Sequence, residues 1–298
     1  MIKVENITKN YGTVKALKGI SFEVQQGELY GLIGPDGSGK TTLFRILASL
    51  LLPASGKAFM NGFDTVNNYK SIRKMIGYMP EQFSLYLDLT VEENLKFFAT
   101  VFNTTIQQNY YLIKDIYEAL EPFKKRKARD LSGGMKQKLA LSCALIHKPD
   151  ILLLDEPTTG VDPVARRDFW DMLKTLQQTG ITTLVSTPFM EDAELCDKVA
   201  LVQNGALLTI NTPGNIARNY PHQLLKIVTK DNYKTLTVLE NFNEKISVFS
   251  FGNSVHLATG NAVSVSTVQH FLEQHHVDTV NIETIQAGIE DVFMELMK

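Results

Sequence analysis

The sequence predicts an α/β fold: a mixed sheet with an antiparallel β region and an inserted helical lobe, followed by a small α+β domain. Three observations carry this. Short apolar or β-branched runs at Leu29 to Ile33, Ile151 to Leu154 and Thr182 to Ser186 have the length and character of buried parallel strands. Between them lie stretches of helical periodicity. After about residue 218 the pattern changes to short alternating strands, and 298 residues suffice for one large domain (1–218) and one small domain (219–298).

In chain order, residues 1 to about 32 read as strands and turns. Val4, Ile7, Ile20, Phe22 and Val24 alternate with polar residues, and Gly12, Gly19 and Gly27 punctuate them. Leu29 to Ile33 then runs into a glycine-rich loop, and Thr41 to Leu52 reads as a helix with an apolar face. Thr90-Val91-Glu92-Glu93 has the form of a capping box, a hydroxyl N-cap with a carboxylate three residues on. Val91, Leu95, Phe98 and Phe102 follow at helical spacing, as do Ile113, Ile116, Tyr117 and Leu120, so about 84–148 is a helical subdomain. A further helix opens at Asp162-Pro163 and closes near Gly180. Beyond the linker Asn219-Tyr220-Pro221, strands are expected at Leu224 to Thr229, Ile246 to Phe251 and Val255 to Ala258, and a helix at Val265 to His275.

Composition excludes several classes. Hydrophobic residues make up 44% and charged residues 21%, ordinary for a chain with a real core, and a net charge of -2 gives no electrostatic case for a nucleic-acid partner. Cys143 and Cys196 sit in apolar stretches and read as buried thiols. The N-terminus enters a strand pattern without a signal peptide's apolar middle, and no apolar run approaches the roughly 20 residues of a membrane span. A cytoplasmic location is expected, peripheral on the membrane if something else holds it there.

The chemistry is concentrated in two segments. Gly34-Pro35-Asp36-Gly37-Ser38-Gly39-Lys40-Thr41, followed by Thr42, fits G-x-x-x-x-G-K-[ST] between a strand and a helix. Glycines let backbone N–H groups turn inward to hold phosphate oxygens, and the helix N-terminus adds positive potential. Lys40 would reach the terminal phosphates and the Thr41 hydroxyl would ligate Mg²⁺. Ile151-Leu152-Leu153-Leu154-Asp155-Glu156 carries Asp155 to a strand end, where it can hold Mg²⁺, and Glu156 can accept a proton from, or orient, an attacking water.

Leu131-Ser132-Gly133-Gly134 supplies a second anion site, a serine hydroxyl and free glycine amides at a helix start, far from the first loop and without a lysine. With these motifs in this order, residues 1 to about 215 resemble the ABC transporter ATPases, which are P-loop NTPases. The resemblance implies that ATP is sandwiched between Lys40 of one subunit and Ser132, Gly133 and Gly134 of another, in a homodimer or a heterodimer with a related ABC ATPase. It implies integral-membrane permease subunits as partners. It also implies adenine stacking on Tyr11, a cation- and water-sensing role for Gln82, and an interface role for Asp162 beside Glu156. The motion would reach the permease through Gln82 and the segment Phe83 to Leu89. The ending Gly288 to Leu296 resembles the tail of drug-exporter ATPases. Two departures stand out. Pro188 occupies the place of the family's histidine against the γ-phosphate, with Thr187 expected to cap a helix that Pro188 begins. Asp36 replaces an asparagine and adds negative charge near the phosphates.

Overall fold

The protein, seen in a computed structural model, is described for residues 1–82, 84–260 and 263–297. It divides into two compact units, Met1–Pro213 and Gly214–Lys298. The division falls ahead of the 218/219 boundary expected from the change in sequence style.

The first unit begins with a hairpin of β1 (Ile2–Tyr11) and β2 (Val14–Val24), then β3 (Leu29–Ile33), which is buried at every position. Helix α1 (Lys40–Leu47) follows, and then β4 (Ser55–Met60), β5 (Phe63–Asp64), α2 (Tyr69–Met75) and β6 (Ile76–Met79). α1 is shorter than the expected Thr41 to Leu52, because Ser49 takes a left-handed φ of 56° that ends the helical path. Helices α3 (Val91–Val101), α4 (Ile106–Tyr117) and α5 (Gly133–Leu145) make up the helical region. Both arms of the Thr90/Glu93 capping box form, and Thr105/Gln108 makes a second one at α4. α4 stops at Tyr117, so Leu120 packs in a following turn and not in the helix. Then come β7 (Ile151–Asp155), α6 (Pro163–Gln178), β8 (Thr182–Thr187), β9 (Lys198–Gln203) and β10 (Ala206–Asn211).

These strands form two sheets. One is antiparallel, in the order β2-β1-β4-β5. The other runs β10-β9-β3-β8-β7-β6, parallel throughout except for β10 at its edge. β3, β7 and β8 are buried on both faces, which accounts for their continuous apolar or β-branched character. The core joins both sheets through α1, with Leu43, Phe44 and Leu47 packed among Ile7, Leu32 and Leu153.

Helix α7 (Pro213–Arg218) lies at the division. The second unit then runs β11 (Gln223–Thr229), α8 (Asn232–Leu239), β12 (Lys245–Phe251), β13 (Ser254–Thr259), α9 (Val265–Gln274), β14 (Thr279–Ile285) and α10 (Ile289–Leu296). Its antiparallel sheet has the order β12-β13-β11-β14. A βαββαβ sequence with that order is the ferredoxin-like, split βαβ arrangement. Leu225, Ile227, Val255 and Leu257 from the sheet pack with Leu239, Val268 and Leu272 from the helices.

Candidate active site

The site follows from the strand order. β3, β8 and β7 are consecutive parallel neighbours, with Ile33 paired to Thr187 and Asp155 to Ser186. Their C-terminal ends therefore open on one point, the usual place for a ligand in an open α/β sheet. β3 leads into the phosphate loop, β7 ends in Asp155 and Glu156, and β8 contributes Ser186 and Thr187. The loop closes on α1 through Gly39, whose φ of 102° is foreign to L side chains and whose absent Cβ would meet Ala16 O at 2.5 Å.

Lys40 is nearly enclosed. Its Nζ donates to Gly34 O (2.7 Å) and Pro35 O (3.0 Å) and lies 3.1 Å from Glu156 Oε1. Glu156 adopts a left-handed φ of 49°, an uncommon conformation for a non-glycine residue that concentrates at functional positions. Its amide donates to Ser186 O (3.2 Å) and Ser186 Oγ (2.9 Å), and Thr159 Oγ1 donates to Glu156 Oε2 (3.1 Å). Asp155 is fully buried. Its Oδ1 accepts from Ser186 Oγ (2.7 Å) and lies 3.3 Å from Thr41 Oγ1. Burial pushes the Asp155 carboxyl up to about 6, against the opposing hydrogen bonds from Ser186 and Thr41.

Two buried polar atoms in this cluster have no protein partner, Ser38 Oγ and Asp155 Oδ2. A buried acceptor left unpaired is costly, so an unpartnered carboxylate oxygen beside a hydroxyl is what an oxygen-seeking cation would satisfy. Thr41 and Asp155 thus fit Mg²⁺ as ligands.

A cleft of about 730 Å³ opens over the loop, lined among others by Tyr11, Asp36, Gly37, Lys40, Thr42 and Glu156. Tyr11 is half exposed, with Lys9 Nζ 5.7 Å from its ring centre. Asp36 is exposed. The residue after β6 that reaches the site is Glu81. It lines the cleft, and its Oε2 lies 3.3 Å from Thr41 Oγ1; Glu81 and Gln82 are both exposed. Sequence reasoning missed Glu81 because the two are adjacent polar residues in a strand-end loop, where no periodicity distinguishes inward from outward. Phe83, expected in the coupling segment, lies outside the described residues.

Ser132, Gly133 and Gly134 stand apart from the phosphate loop. Ser132 caps α5, its Oγ accepting from Met135 N (3.3 Å). A Cβ at Gly134 would lie 2.7 Å from Ala165 Cβ, so glycine lets α5 approach α6. Asp162 caps α6 by accepting from Val164 N and Ala165 N. Pro188 does not begin a helix as expected. β8 continues to Thr187, and a 3₁₀ turn starts only at Met190. Thr187 Oγ1 accepts from Phe189 N and donates to Asp192 Oδ2, which bends the chain before any α-helical turn can form.

The family model described as ABC transporter matches residues 17–159. YbhF of Escherichia coli K12, named a probable multidrug ABC transporter ATP-binding protein, is 41% identical over 72% of this chain and 38% of its own length. The chain therefore spans well under half of that relative. The Nod factor export ATP-binding protein I of Ralstonia nicotianae is 32% identical over 99% of this chain and 93% of its own. Among solved structures, a dimeric ATP-binding cassette in a post-hydrolysis state, bound to ADP and Pi, matches with a TM-score of 0.65 at 27% identity, over 71% of this chain and 98% of that one. The phosphate loop, the acidic strand end and the serine-glycine helix start agree with these likenesses, and the chain belongs to the family of ABC transporter ATP-binding proteins.

Proposed function

We propose that the chain binds ATP with Mg²⁺ and hydrolyses it, powering export of drugs or other hydrophobic compounds through separate integral-membrane permease subunits. One observation carries the reading. A buried lysine, a hydroxyl and two buried carboxylates converge on a glycine-rich loop at the ends of β3, β7 and β8. Export is supported by the names of the relatives, multidrug transport for one and Nod factor export for the other.

Lys40 and the loop amides would hold the β- and γ-phosphates, and Tyr11 would stack on adenine, a contact worth about 1 kcal/mol. Thr41 and Asp155 would hold Mg²⁺, which when bound neutralises phosphate charge. Lys40 is paired to Glu156. Once phosphate oxygens take the ammonium, the Glu156 carboxylate is released to accept a proton from the attacking water. The amide bonds to Ser186 fix the Glu156 backbone while its side chain exchanges partners.

The serine-glycine helix start offers a hydroxyl and glycine amides apart from the phosphate loop, which supports completion of the nucleotide site by a second subunit. That subunit is another copy or a related ABC ATPase. The segment at Gly160 and Asp162 would lie at that interface. A groove of about 220 Å³ lined by Tyr78, Met79, Leu85, Phe98 and Ala144 supports docking of an apolar permease segment, with exposed Tyr86 and Leu87 following Leu85 in the chain. No helix among the described residues is long and apolar enough to cross a membrane. Docked on such a permease, the chain would sit in the cytoplasm, peripheral on the inner face of the cell membrane. Purified chain, alone or with the membrane protein that co-purifies with it, should release phosphate from ATP in a cation-dependent manner. No release from either preparation would sink the reading.

A further inference from the structure

A separate cavity of about 710 Å³ lies within the first unit and shares no lining residue with the nucleotide cleft or with the groove at Leu85. It opens where two core strands begin: Asp150 precedes β7, and Ile181 and Thr182 lead into β8. Asp155 and Ser186 stand at the other ends of those strands, roughly 13 Å away at about 3.3 Å per residue. Helix α4 contributes buried Ile116 to the wall, and α6 contributes buried Leu176 and half-buried Met172. A volume of this size with apolar walls and a few charged groups suits a small organic ligand.

The charged groups at its rim are unevenly matched. Three carboxylates, Asp115 on α4, Asp150 and Asp171 on α6, face one ammonium, that of Lys148. The amino-terminal ammonium acts on Asp150, and Asn61 Oδ1 accepts a hydrogen bond from it at 2.7 Å. Asp115 and Asp171 are exposed, and neither carboxylate has an ion-pair or hydrogen-bond partner among the described residues. Tyr111, one turn before Asp115, is also exposed and brings an aromatic face, which attracts cations electrostatically. A metal ion would gain nothing from the apolar walls, and no group of three His, Cys, Asp or Glu among the described residues is arranged to hold one.

We propose that this cavity is a second ligand site, one for amphiphilic organic cations. The apolar body of the ligand packs against Ile116, Met172 and Leu176, and its positive head rests against Asp115 and Asp171 beside the Tyr111 ring. Burial of the body supplies the affinity, because removing apolar surface from water is favourable whatever the charge. The carboxylates supply the selectivity, because an anion of the same shape meets like charge. The site lies at the end of β7 and β8 opposite the nucleotide cleft, and it does not depend on the ATP reading.

The test uses the full chain and two ions of matched shape and opposite charge, tetraphenylphosphonium and tetraphenylborate, titrated separately by calorimetry in potassium-free buffer. Tetraphenylphosphonium should bind saturably, and more tightly than tetraphenylborate. The double change Asp115→Asn and Asp171→Asn, at exposed positions, should weaken tetraphenylphosphonium binding about tenfold at low ionic strength, with the difference shrinking in salt. Met172→Arg, which puts bulk and positive charge into the cavity, should abolish binding of the cation. A saturating non-hydrolysable ATP analogue should leave its affinity unchanged. No saturable binding up to the solubility limit, equal binding of the two ions, full affinity in the double variant, or competition by the analogue would each overturn the assignment while leaving the nucleotide reading where it stands.

Discussion

Lys40 Nζ lies 3.1 Å from Glu156 Oε1, with both side chains more than nine-tenths enclosed. The ammonium that would hold phosphate is thus already neutralised by the carboxylate that would act on water. Entry of the γ-phosphate exchanges one partner of Lys40 for another. It does not leave a bare charge in the interior, where an unpaired ion costs several kcal/mol.

The first prediction concerns that exchange. Glu156→Gln should retain ATP, because the phosphate no longer competes with a carboxylate for Lys40, while turnover falls about 10³-fold with the general base gone. Lys40→Ala should do the reverse and lose nucleotide binding itself. Fluorescent-nucleotide titration and phosphate release separate the two effects. Equal loss of binding in both variants would contradict the assigned roles.

Pro188 is the second. It has no N–H to offer, and the chain after it is tied down by Phe189 N donating to Thr187 Oγ1 and by Thr187 donating to Asp192. In comparable sites one missing charge-stabilising donor costs about 10²-fold in rate. Pro188→His should therefore raise steady-state ATP turnover at least about tenfold. No gain would mean that this position does not limit the rate.

The third concerns Arg166, whose Nε and Nη2 donate to Asp192 Oδ1 at 3.0 and 2.7 Å while its guanidinium lies 3.9 Å from the Phe189 ring centre. Asp192 is almost fully buried, and burial holds its carboxyl above the ordinary range even with Arg166 present. Arg166→Ala leaves that carboxylate unpaired and should cost about 3 kcal/mol at neutral pH, read from urea midpoints. Its folded pKa then rises further, so the stability tied to this group is present below the unfolded value and lost as pH rises through the folded one. The deficit should accordingly shrink in acid. A deficit independent of pH would argue that stacking on Phe189, not the ion pair, is the main interaction.

His147 supplies the fourth. Its ring stacks on Phe102 with centres 3.8 Å apart, Nε2 bonds Ile76 O, and Nδ1 is buried without a partner. Burial holds its pKa below the ordinary imidazole value of 6.5. Just below that value the unfolded chain binds a proton that the folded chain refuses, so stability should fall as pH drops through 6.5 toward the lowered folded value. Thermal unfolding at pH 7.5 and 5.5 should show a steeper loss for the parent than for His147→Leu. Parallel losses would remove His147 from the account.

How much of this was legible beforehand depends on which signal each element carried. Ile151 to Leu154 and Leu29 to Ile33 read correctly because strands buried on both faces need unbroken apolar runs. Thr90 and Asp162 read correctly as caps because capping is local chemistry. α8 went unnoticed: Asn232 to Leu239 contains three β-branched residues, which speak against a helix until packing against β12 and β13 overrides them. β14 was missed because it is an edge strand with little buried surface. At the site, the phosphate loop and Asp155-Glu156 stand out in the sequence as motifs, while which of Glu81 and Gln82 lies beside Thr41 does not. One residue of register decides it, and only the path of the chain after β6 fixes that register.

The central claim is that nucleotide is held between the lysine cradle of one subunit and the serine-glycine helix start of another. Light scattering on purified Glu156→Gln tests it most directly. With ATP the protein should show twice the mass it shows without nucleotide, and a further Ser132→Arg change should return it to the single mass. A single mass for Glu156→Gln at saturating ATP would contradict the claim.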